Sequence, residues 1–118
     1  MLIAEDEPRI LAFLVKGLRR RGIQVETCED GEKALEKLLA EDFTLLLLDI
    51  GLPHLNGWEV LQQLKKRGRY LPVIVLTARA SAREEAEAID YQISDYFKKP
   101  FRFSDLWQSI DQALTANS

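Results

Sequence analysis

The chain has 118 residues, a mass of 13.5 kDa and 16 basic against 19 acidic side chains, for a net charge of −3. This length predicts one domain, 1–118, that folds without a metal or disulfide, and the slight acidity disfavours direct nucleic-acid contact. The single cysteine, Cys28, excludes an internal disulfide and a cysteine-based zinc site. The absence of a signal peptide or a long apolar run predicts a cytoplasmic protein without membrane contact.

The first elements alternate between strand and helix. Residues 2–4 form an apolar cluster that predicts a short strand. Pro8 then opens a helix, at a position where proline is well tolerated, and Gly22 ends it after three arginines. Alternating apolar and polar residues predict a strand over 23–28, and helical spacing predicts a helix over 32–41.

The middle of the chain contains the most apolar segment. Residues 43–48 are almost continuously apolar, which is typical of a central parallel strand covered on both faces, and Asp49 follows at the carboxyl end. We expect a third helix over 58–67 and another buried strand over 71–76.

The last third repeats the alternation. The pattern predicts a fourth helix over 82–91, a short strand over 95–97 and a last helix from about Ser104 as a plausible N-cap. Five strand–helix units in alternation indicate an α/β fold, a doubly wound five-stranded parallel sheet with five helices. Right-handed crossovers then place helices on both faces.

Polar side chains follow four of the predicted strands. Glu5 and Asp6 follow the first, Asp49 ends the third, Thr77 ends the fourth and Lys99 follows the fifth. Because ligands of open parallel sheets bind beyond the carboxyl ends of the strands, we expect these side chains to share one edge.

Several carboxylates at one edge require a cation. Two carboxylates ~5 Å apart repel each other by about 3 kcal/mol at an effective dielectric near 20. Oxygen ligands without Cys or His suit a hard ion, which favours Mg²⁺. A carboxylate beside that ion could attack phosphorus to form an aspartyl-phosphate. Lys99 could neutralise a phosphate oxygen, and the Thr77 hydroxyl could donate a hydrogen bond to another.

Four motifs carry a resemblance to a known family. They are Glu-Asp-Glu-Pro from Glu5, Asp-Ile-Gly-Leu-Pro from Asp49 with Gly57, Thr77-Ala78-Arg79, and Asp-Tyr-Phe-Lys-Lys-Pro-Phe from Asp95. In this order the chain resembles, over essentially its whole length, the response regulator receiver domains of two-component signalling. The resemblance is closest to receivers of winged-helix transcription factors. It implies a flavodoxin-like fold with strand order 2-1-3-4-5.

The resemblance also implies a metal site and a phosphoacceptor. Asp49 would accept the phosphoryl group. Glu5 and Asp6 would be the acidic pair that holds Mg²⁺, or Mn²⁺ in its place, together with Asp49 and the backbone carbonyl of Gly51.

Phosphate binding and switching are implied in the same way. Thr77, the backbone of Ala78 and Lys99 would bind the phosphoryl group, and the Lys99–Pro100 bond would be cis. Movement of Thr77 would let Tyr96 turn inward. The face formed by the fourth helix, fifth strand and fifth helix would then change, as a shift between two populated states.

These roles imply particular partners. A histidine kinase or phosphotransfer protein would donate the phosphoryl group, and an output domain outside this chain or a protein partner would receive the signal. The domain would assist its own Mg²⁺-dependent phosphorylation and dephosphorylation without being an enzyme on another substrate.

Three alternatives remain open from the residues. The first is a receiver-like interaction module that is never phosphorylated, although the acidic, Thr and Lys positions are complete. The second is a small phosphatase with an aspartyl nucleophile, but Gly51 stands where such enzymes typically carry a second Asp. The third is nucleotide binding, for which no glycine-rich phosphate loop follows the first strand.

Three departures from the family pattern concern the output, the lifetime of the phosphoryl group and the dimer contacts. Gln92 and Ile93 replace the usual Gly-Ala pair, so we expect the end of the fourth helix to be rebuilt. Gly51 is smaller than the residue often found there. No Lys or Arg follows Arg102, which weakens the usual dimer contacts and predicts a monomer or an atypical dimer.

Overall fold

The structure is a computed structural model that describes residues 1–78, 85 and 89–116. Within them lies a five-stranded parallel sheet in the order β2-β1-β3-β4-β5. Its strands are β1 (Leu2–Ala4), β2 (Glu26–Cys28), β3 (Leu46–Asp49), β4 (Val73–Thr77) and β5 (Asp95–Lys98). The predicted fold class and strand order are confirmed.

The described residues form four helices. They are α1 (Pro8–Arg20), α2 (Gly31–Ala40), α3 (Gly57–Lys66) and the C-terminal helix (Phe103–Ala116). The predicted fourth helix, over 82–91, falls mostly outside the described residues.

Helix ends follow local chemistry. Pro8 opens α1, and Gly22 follows it with a φ of 77°, as predicted. The Asp30 side chain caps α2 by accepting a hydrogen bond from the Lys33 amide, and a reciprocal capping box between Asn56 and Glu59 begins α3.

The sheet separates two apolar layers. On one face, α2 and α3 pack over buried side chains such as Leu38 and Leu61. On the other, α1 and the C-terminal helix pack through side chains such as Leu14 and Ile110. Because β3 is covered on both faces, its continuous apolar run is explained.

Three strands begin later than predicted, and β4 is one of them, since it covers Val73–Thr77 and not residues 71–76. β2 begins at Glu26 because the Ile23 amide donates to the Leu18 carbonyl and so belongs to the end of α1. β3 begins at Leu46, where pairing with the three-residue β1 starts opposite Leu2. Apolar content alone gives no sign of where a strand ladder begins.

The expectation that Ser104 caps the last helix is wrong. That helix begins at Phe103, and the Leu106 amide donates to the Arg102 carbonyl, so Ser104 lies exposed in the first turn. The ends of α2 and α3 differ from the predicted ones by one residue each.

The chain before β5 contains a residue with left-handed backbone, but not at Gln92, where the family resemblance implied a glycine. The left-handed backbone lies at Asp90, with a φ of 58°, rather than at Gln92. Aspartate tolerates this conformation better than most residues because its short side chain can bond locally. Among the described helices, none is long and apolar enough to cross a membrane.

Candidate functional site

Four strands deliver polar side chains to one edge of the sheet. β1 ends just before Glu5, β3 ends in Asp49, β4 ends in Thr77 and β5 ends just before Lys99. Parallel register places Asp49 opposite Leu76 and Thr77 opposite Lys98, so the strand ends lie side by side. We call Glu5, Asp6, Asp49, Thr77 and Lys99 the acidic rim.

Lys99 is the central cation of the acidic rim. Its Nζ lies 2.8 Å from Glu5 Oε1, 3.4 Å from Asp49 Oδ2 and 3.8 Å from Glu7 Oε1. Glu5 is fully buried and Asp49 is 5% exposed, so water screens these charges weakly. The single ammonium therefore faces more negative charge than it can neutralise.

The carboxylates are arranged to hold a cation. Glu5, Asp6 and Asp49 each offer an oxygen, and the three oxygens lie within 4.8 Å of one another. Two of these residues are buried, and Asp6 is exposed. An all-oxygen donor set with one open side fits Mg²⁺, which keeps several waters when bound by one or two carboxylates.

The surroundings shift the pKa values of these groups. Burial, followed by the neighbouring Asp49 carboxylate, raises the pKa of Glu5 from 4.5 to about 7. The same two causes raise the pKa of Asp6. Burial is the largest influence on Lys99 and would lower its pKa, but hydrogen bonding to Glu5 and the nearby carboxylates together raise it. The acidic rim thus stores repulsion that a divalent cation would relieve.

The loop after β3 holds Asp49 in place. The Gly51 amide donates a 3.0 Å hydrogen bond to Asp49 Oδ1. Gly57 opens α3, and a Cβ there would lie 2.8 Å from Ile50 Cα and 2.9 Å from the Asp49 carbonyl oxygen. Only glycine allows this close approach, which attaches the start of α3 to the backbone that carries Asp49.

A cleft opens between the carboxylates and β4. It has a volume of about 210 Å³ and is lined by Asp6, Glu7, Asp49, Gly51, Thr77, Ala78 and Lys99. Thr77 is buried, Ala78 is exposed, and the Lys99 amide donates to the Thr77 carbonyl at 2.7 Å. Thr77 and Lys99, which are predicted to bind phosphate, therefore lie side by side at the ends of the neighbouring strands β4 and β5. The Lys99–Pro100 bond is cis, as the resemblance implied.

Tyr96 lies apart from this cleft. It pairs with Val75 in the β4–β5 ladder and packs, half-buried, against the apolar layer under α2 and α3. It precedes Lys99 by three positions and does not line the cleft.

Glu7 is a site residue for which the sequence predicted no role. It is the N-cap of α1, and its side chain makes no capping hydrogen bond. Instead it lines the cleft and approaches Lys99. The run of three acids from Glu5 was the signal that could have indicated a fourth carboxylate at the site beside Glu5, Asp6 and Asp49.

A family comparison agrees with this geometry. The model of the response regulator receiver domain matches residues 1–111. The transcriptional regulatory protein HprR of Escherichia coli is 38% identical over 114 residues, which are 97% of this chain and 51% of that protein. TctD of Salmonella typhimurium, another transcriptional regulatory protein, is 38% identical over 106 residues, 90% of this chain and 47% of that protein. The chain spans about half the length of these curated relatives.

Solved structures show the same fold. The response regulator TrrA of Thermotoga maritima, solved in complex with Mg²⁺ and BeF, has a TM-score of 0.81 and 32% identity, with 96% of each chain covered. The receiver domain of the sensor histidine kinase PA1611 of Pseudomonas aeruginosa, solved with a magnesium ion coordinated in the active site cleft, has a TM-score of 0.84 and 27% identity, with 97% of this chain and 95% of that chain covered. With a family match over nearly all of its residues, this chain belongs to the response regulator receiver domain family of two-component signalling.

Proposed function

We propose that this domain is a phosphorylation switch in which Asp49 accepts a phosphoryl group from a histidine kinase or phosphotransfer protein. The observation that carries the proposal is the acidic rim itself. The buried carboxylate of Asp49 and the ammonium of Lys99, whose side chain is 12% exposed, face one cleft, and the carboxylates of Glu5 and Asp6 lie beside them. This combination offers a nucleophile, a phosphate-binding cation and a metal site in about 210 Å³.

The transfer exchanges one bond to phosphorus for another. A carboxylate oxygen of Asp49 attacks the phosphorus of a phosphohistidine, the P–N bond breaks, and the leaving imidazole takes up a proton. Lys99 Nζ, 3.4 Å from Asp49 Oδ2, stays close enough to neutralise an oxygen of the transferred group. The Thr77 hydroxyl and the Ala78 backbone amide are the donors we assign to the remaining oxygens.

The metal site has a defined composition in this proposal. Glu5, Asp6, Asp49 and the carbonyl of Gly51 would hold Mg²⁺, with Mn²⁺ as a substitute. When bound, the ion would neutralise negative charge on the carboxylates and on the oxygens of the phosphoryl group during the transfer. Glu5 contributes by orienting the site, since its Oε2 accepts a 3.2 Å hydrogen bond from the Glu7 amide.

The switch would act through β5 and its neighbours. A phosphoryl group adds roughly −1.5 to −2 charge at Asp49, which draws Thr77 and Lys99 toward it and frees space for Tyr96 to turn inward. The ligand shifts the equilibrium only by its differential affinity for the two conformations.

The biological setting follows from the relatives. HprR and TctD are transcriptional regulatory proteins about twice this length. We propose that residues 1–118 form one cytoplasmic receiver domain. It would control an output domain outside this chain or a protein partner. It would contact neither nucleic acid nor membrane itself, associate as a monomer or atypical dimer, and act as a phosphoacceptor rather than as an enzyme on another substrate.

Phosphorylation by a small acyl phosphate tests the proposal. The protein is incubated with Mg²⁺ and the donor, and intact mass is followed beside an Asp49→Asn control, which keeps the size of the side chain. We expect one labile phosphoryl adduct on the wild type and none on the control. A folded wild type that acquires no adduct would instead support a receiver-like interaction module.

A further inference from the structure

Side chains of helix α3 contact two parts of the chain before β5, at residue 85 and at residues 89 and 90. We call the described residues 85 and 89–91 the segment before β5. The Trp58 indole N–H donates a hydrogen bond to Glu85 Oε2. At the other end of α3, Lys65 Nζ donates to the Ile89 carbonyl at 3.0 Å and lies 3.6 Å from Asp90 Oδ2. Trp58 and Lys65, near the two ends of α3, thus contact different parts of this segment.

Tyr91 fixes the far end of the segment to the chain before β4. Its hydroxyl donates to the Arg69 carbonyl and accepts from the Leu71 amide, both at 3.1 Å. The ring is 5% exposed and stacks on Tyr70 with centroids 5.3 Å apart. This end of the segment is therefore anchored to backbone that lies at the opposite edge of the sheet from the acidic rim.

The Trp58 end is attached to the phosphoacceptor instead. Trp58 directly follows Gly57, whose amide donates to the Ile50 carbonyl at 2.9 Å and where an added Cβ would lie 2.9 Å from the Asp49 carbonyl oxygen. The Trp58 side chain is 8% exposed, so its direction is set by packing. The position of the Trp58 indole therefore depends on the position of the end of β3.

Glu85 follows Thr77, the last residue of β4, in the sequence. A phosphoryl group on Asp49 would attract Thr77, so the position of the β4 end would change relative to the β3 end. The Trp58–Glu85 hydrogen bond joins these two parts, whereas the Tyr91 anchor does not.

We propose that Trp58 is a positioning residue that couples the phosphoryl state of Asp49 to the segment before β5. The hydrogen bond to Glu85 would be made in only one of the two conformations. The inference rests on the proposed function, since it requires that Asp49 carry a phosphoryl group. A hydrogen bond present in one state only must change the affinity for any ligand that prefers one state.

A double-mutant cycle on phosphoryl-analogue binding tests the coupling. Affinity for beryllofluoride with Mg²⁺ is measured by calorimetry for the wild type, Trp58→Phe, Glu85→Leu and the double variant. Trp58→Phe removes the N–H donor and keeps an aromatic ring. Glu85→Gln keeps an acceptor oxygen, and Trp107→Phe is the matched aromatic control on the C-terminal helix.

We expect Trp58→Phe and Glu85→Leu to change the affinity in the same direction by about fivefold. The double variant should match either single variant, Glu85→Gln should bind like the wild type, and Trp107→Phe should have no effect. If Trp58→Phe does not fold, Glu85→Leu and its rescue by Glu85→Gln give the same answer from a half-buried site.

Two results would overturn the inference without touching the proposed function. One is wild-type affinity in both Trp58→Phe and Glu85→Leu. The other is a double variant whose change equals the product of the single changes. A folded wild type that fails to bind beryllofluoride with Mg²⁺ would remove both proposals together.

Discussion

Cations meet very different surroundings at the acidic rim and between α1 and the C-terminal helix. At the rim, Lys99 is 12% exposed among carboxylates. Between the helices, the exposed Arg21 guanidinium lies 4.8 Å from the Phe103 ring centroid and 4.9 Å from that of Trp107. We call Gly17, Arg21, Phe103 and Trp107 the aromatic seam.

The difference separates function from stability. At the aromatic seam the charge stays hydrated and adds a modest cation–π attraction, so the arrangement is complete as it stands. At the acidic rim the carboxylates lose hydration and exceed the available positive charge. A site that is electrostatically incomplete in the folded protein is prepared for a divalent cation and a phosphoryl group.

Removal of the rim cation should give the largest effect on stability. Lys99→Met leaves Glu5 and Asp49 buried without a countercharge, and we expect the free energy of unfolding in metal-free buffer to fall by about 3 kcal/mol. Mg²⁺ should restore more stability to the variant than it adds to the wild type. Urea unfolding with and without Mg²⁺ measures both quantities.

A surface pair provides the control for Lys99→Met. Lys37 lies 3.2 Å from Glu26, and both side chains are substantially exposed, so Lys37→Met should cost about 0.5 kcal/mol and show no Mg²⁺ dependence. Equal losses for the two variants would contradict the distinction between rim and surface charges.

Substitutions at two glycines, Gly57 beside the acidic rim and Gly17 in the aromatic seam, test the same difference between these regions. At Gly57 a Cβ would meet backbone atoms of Asp49 and Ile50 that cannot move aside, so Gly57→Ala should cost about 2 kcal/mol and slow phosphorylation. At Gly17 a Cβ would meet only the Phe103 ring, which can shift, and the gain in helix propensity of about 1 kcal/mol offsets the crowding.

Gly17→Ala should therefore change stability by under about 1 kcal/mol and leave phosphorylation unchanged. Thermal unfolding and the rate of adduct formation measure the two variants side by side. Faster or unaltered phosphorylation in Gly57→Ala would show that the start of α3 does not hold Asp49.

The next prediction concerns the pH dependence of the affinity for Mg²⁺. The pKa of Glu5 is raised from 4.5 to about 7, so its contribution to the stability of the metal-free protein is full below pH 4.5 and is lost as pH rises to 7. Mg²⁺ requires the ionised carboxylate, so its affinity should rise by up to about tenfold per pH unit below pH 7 and level off above it.

Calorimetry in two buffers of different ionisation enthalpy measures the protons released on Mg²⁺ binding. Near pH 6 we expect a release of about one proton, which Glu5→Gln should abolish. An affinity that stays constant from pH 6 to pH 8 would show that Glu5 is already ionised in the metal-free protein.

The smallest effect belongs to the aromatic seam. Arg21→Met removes the cation–π contacts with Phe103 and Trp107 and should cost about 0.5 kcal/mol, with no change in phosphorylation or Mg²⁺ affinity. Denaturant midpoints of the two proteins give the difference. A marked loss of phosphorylation would mean that the seam communicates with the acidic rim.

The acidic rim could be predicted because parallel topology converts sequence position into spatial position. Glu5, Asp49, Thr77 and Lys99 each follow an apolar run, and strands in parallel bring such residues to one edge. No comparable rule covers Trp58 and Glu85. Their contact depends on side-chain directions across 27 residues of chain, which hydrophobic periodicity does not encode.

Element ends were predicted less well for a related reason. The run from Phe43 reads as one strand, but the pairing partner β1 has only three residues and sets where the ladder starts. Ile23 reads as part of a strand, but its amide completes the end of α1. Both ends depend on hydrogen-bond partners elsewhere in the chain, which apolar pattern does not reveal.

The most direct test of the central claim locates the phosphoryl group on the chain. After incubation with Mg²⁺ and an acyl phosphate, borohydride reduction converts an aspartyl-phosphate to homoserine, and peptide mass spectrometry then identifies the modified residue. The account predicts homoserine at residue 49 alone. Modification at another residue, or none in a folded and Mg²⁺-loaded protein, would contradict the assignment of Asp49 as the phosphoacceptor.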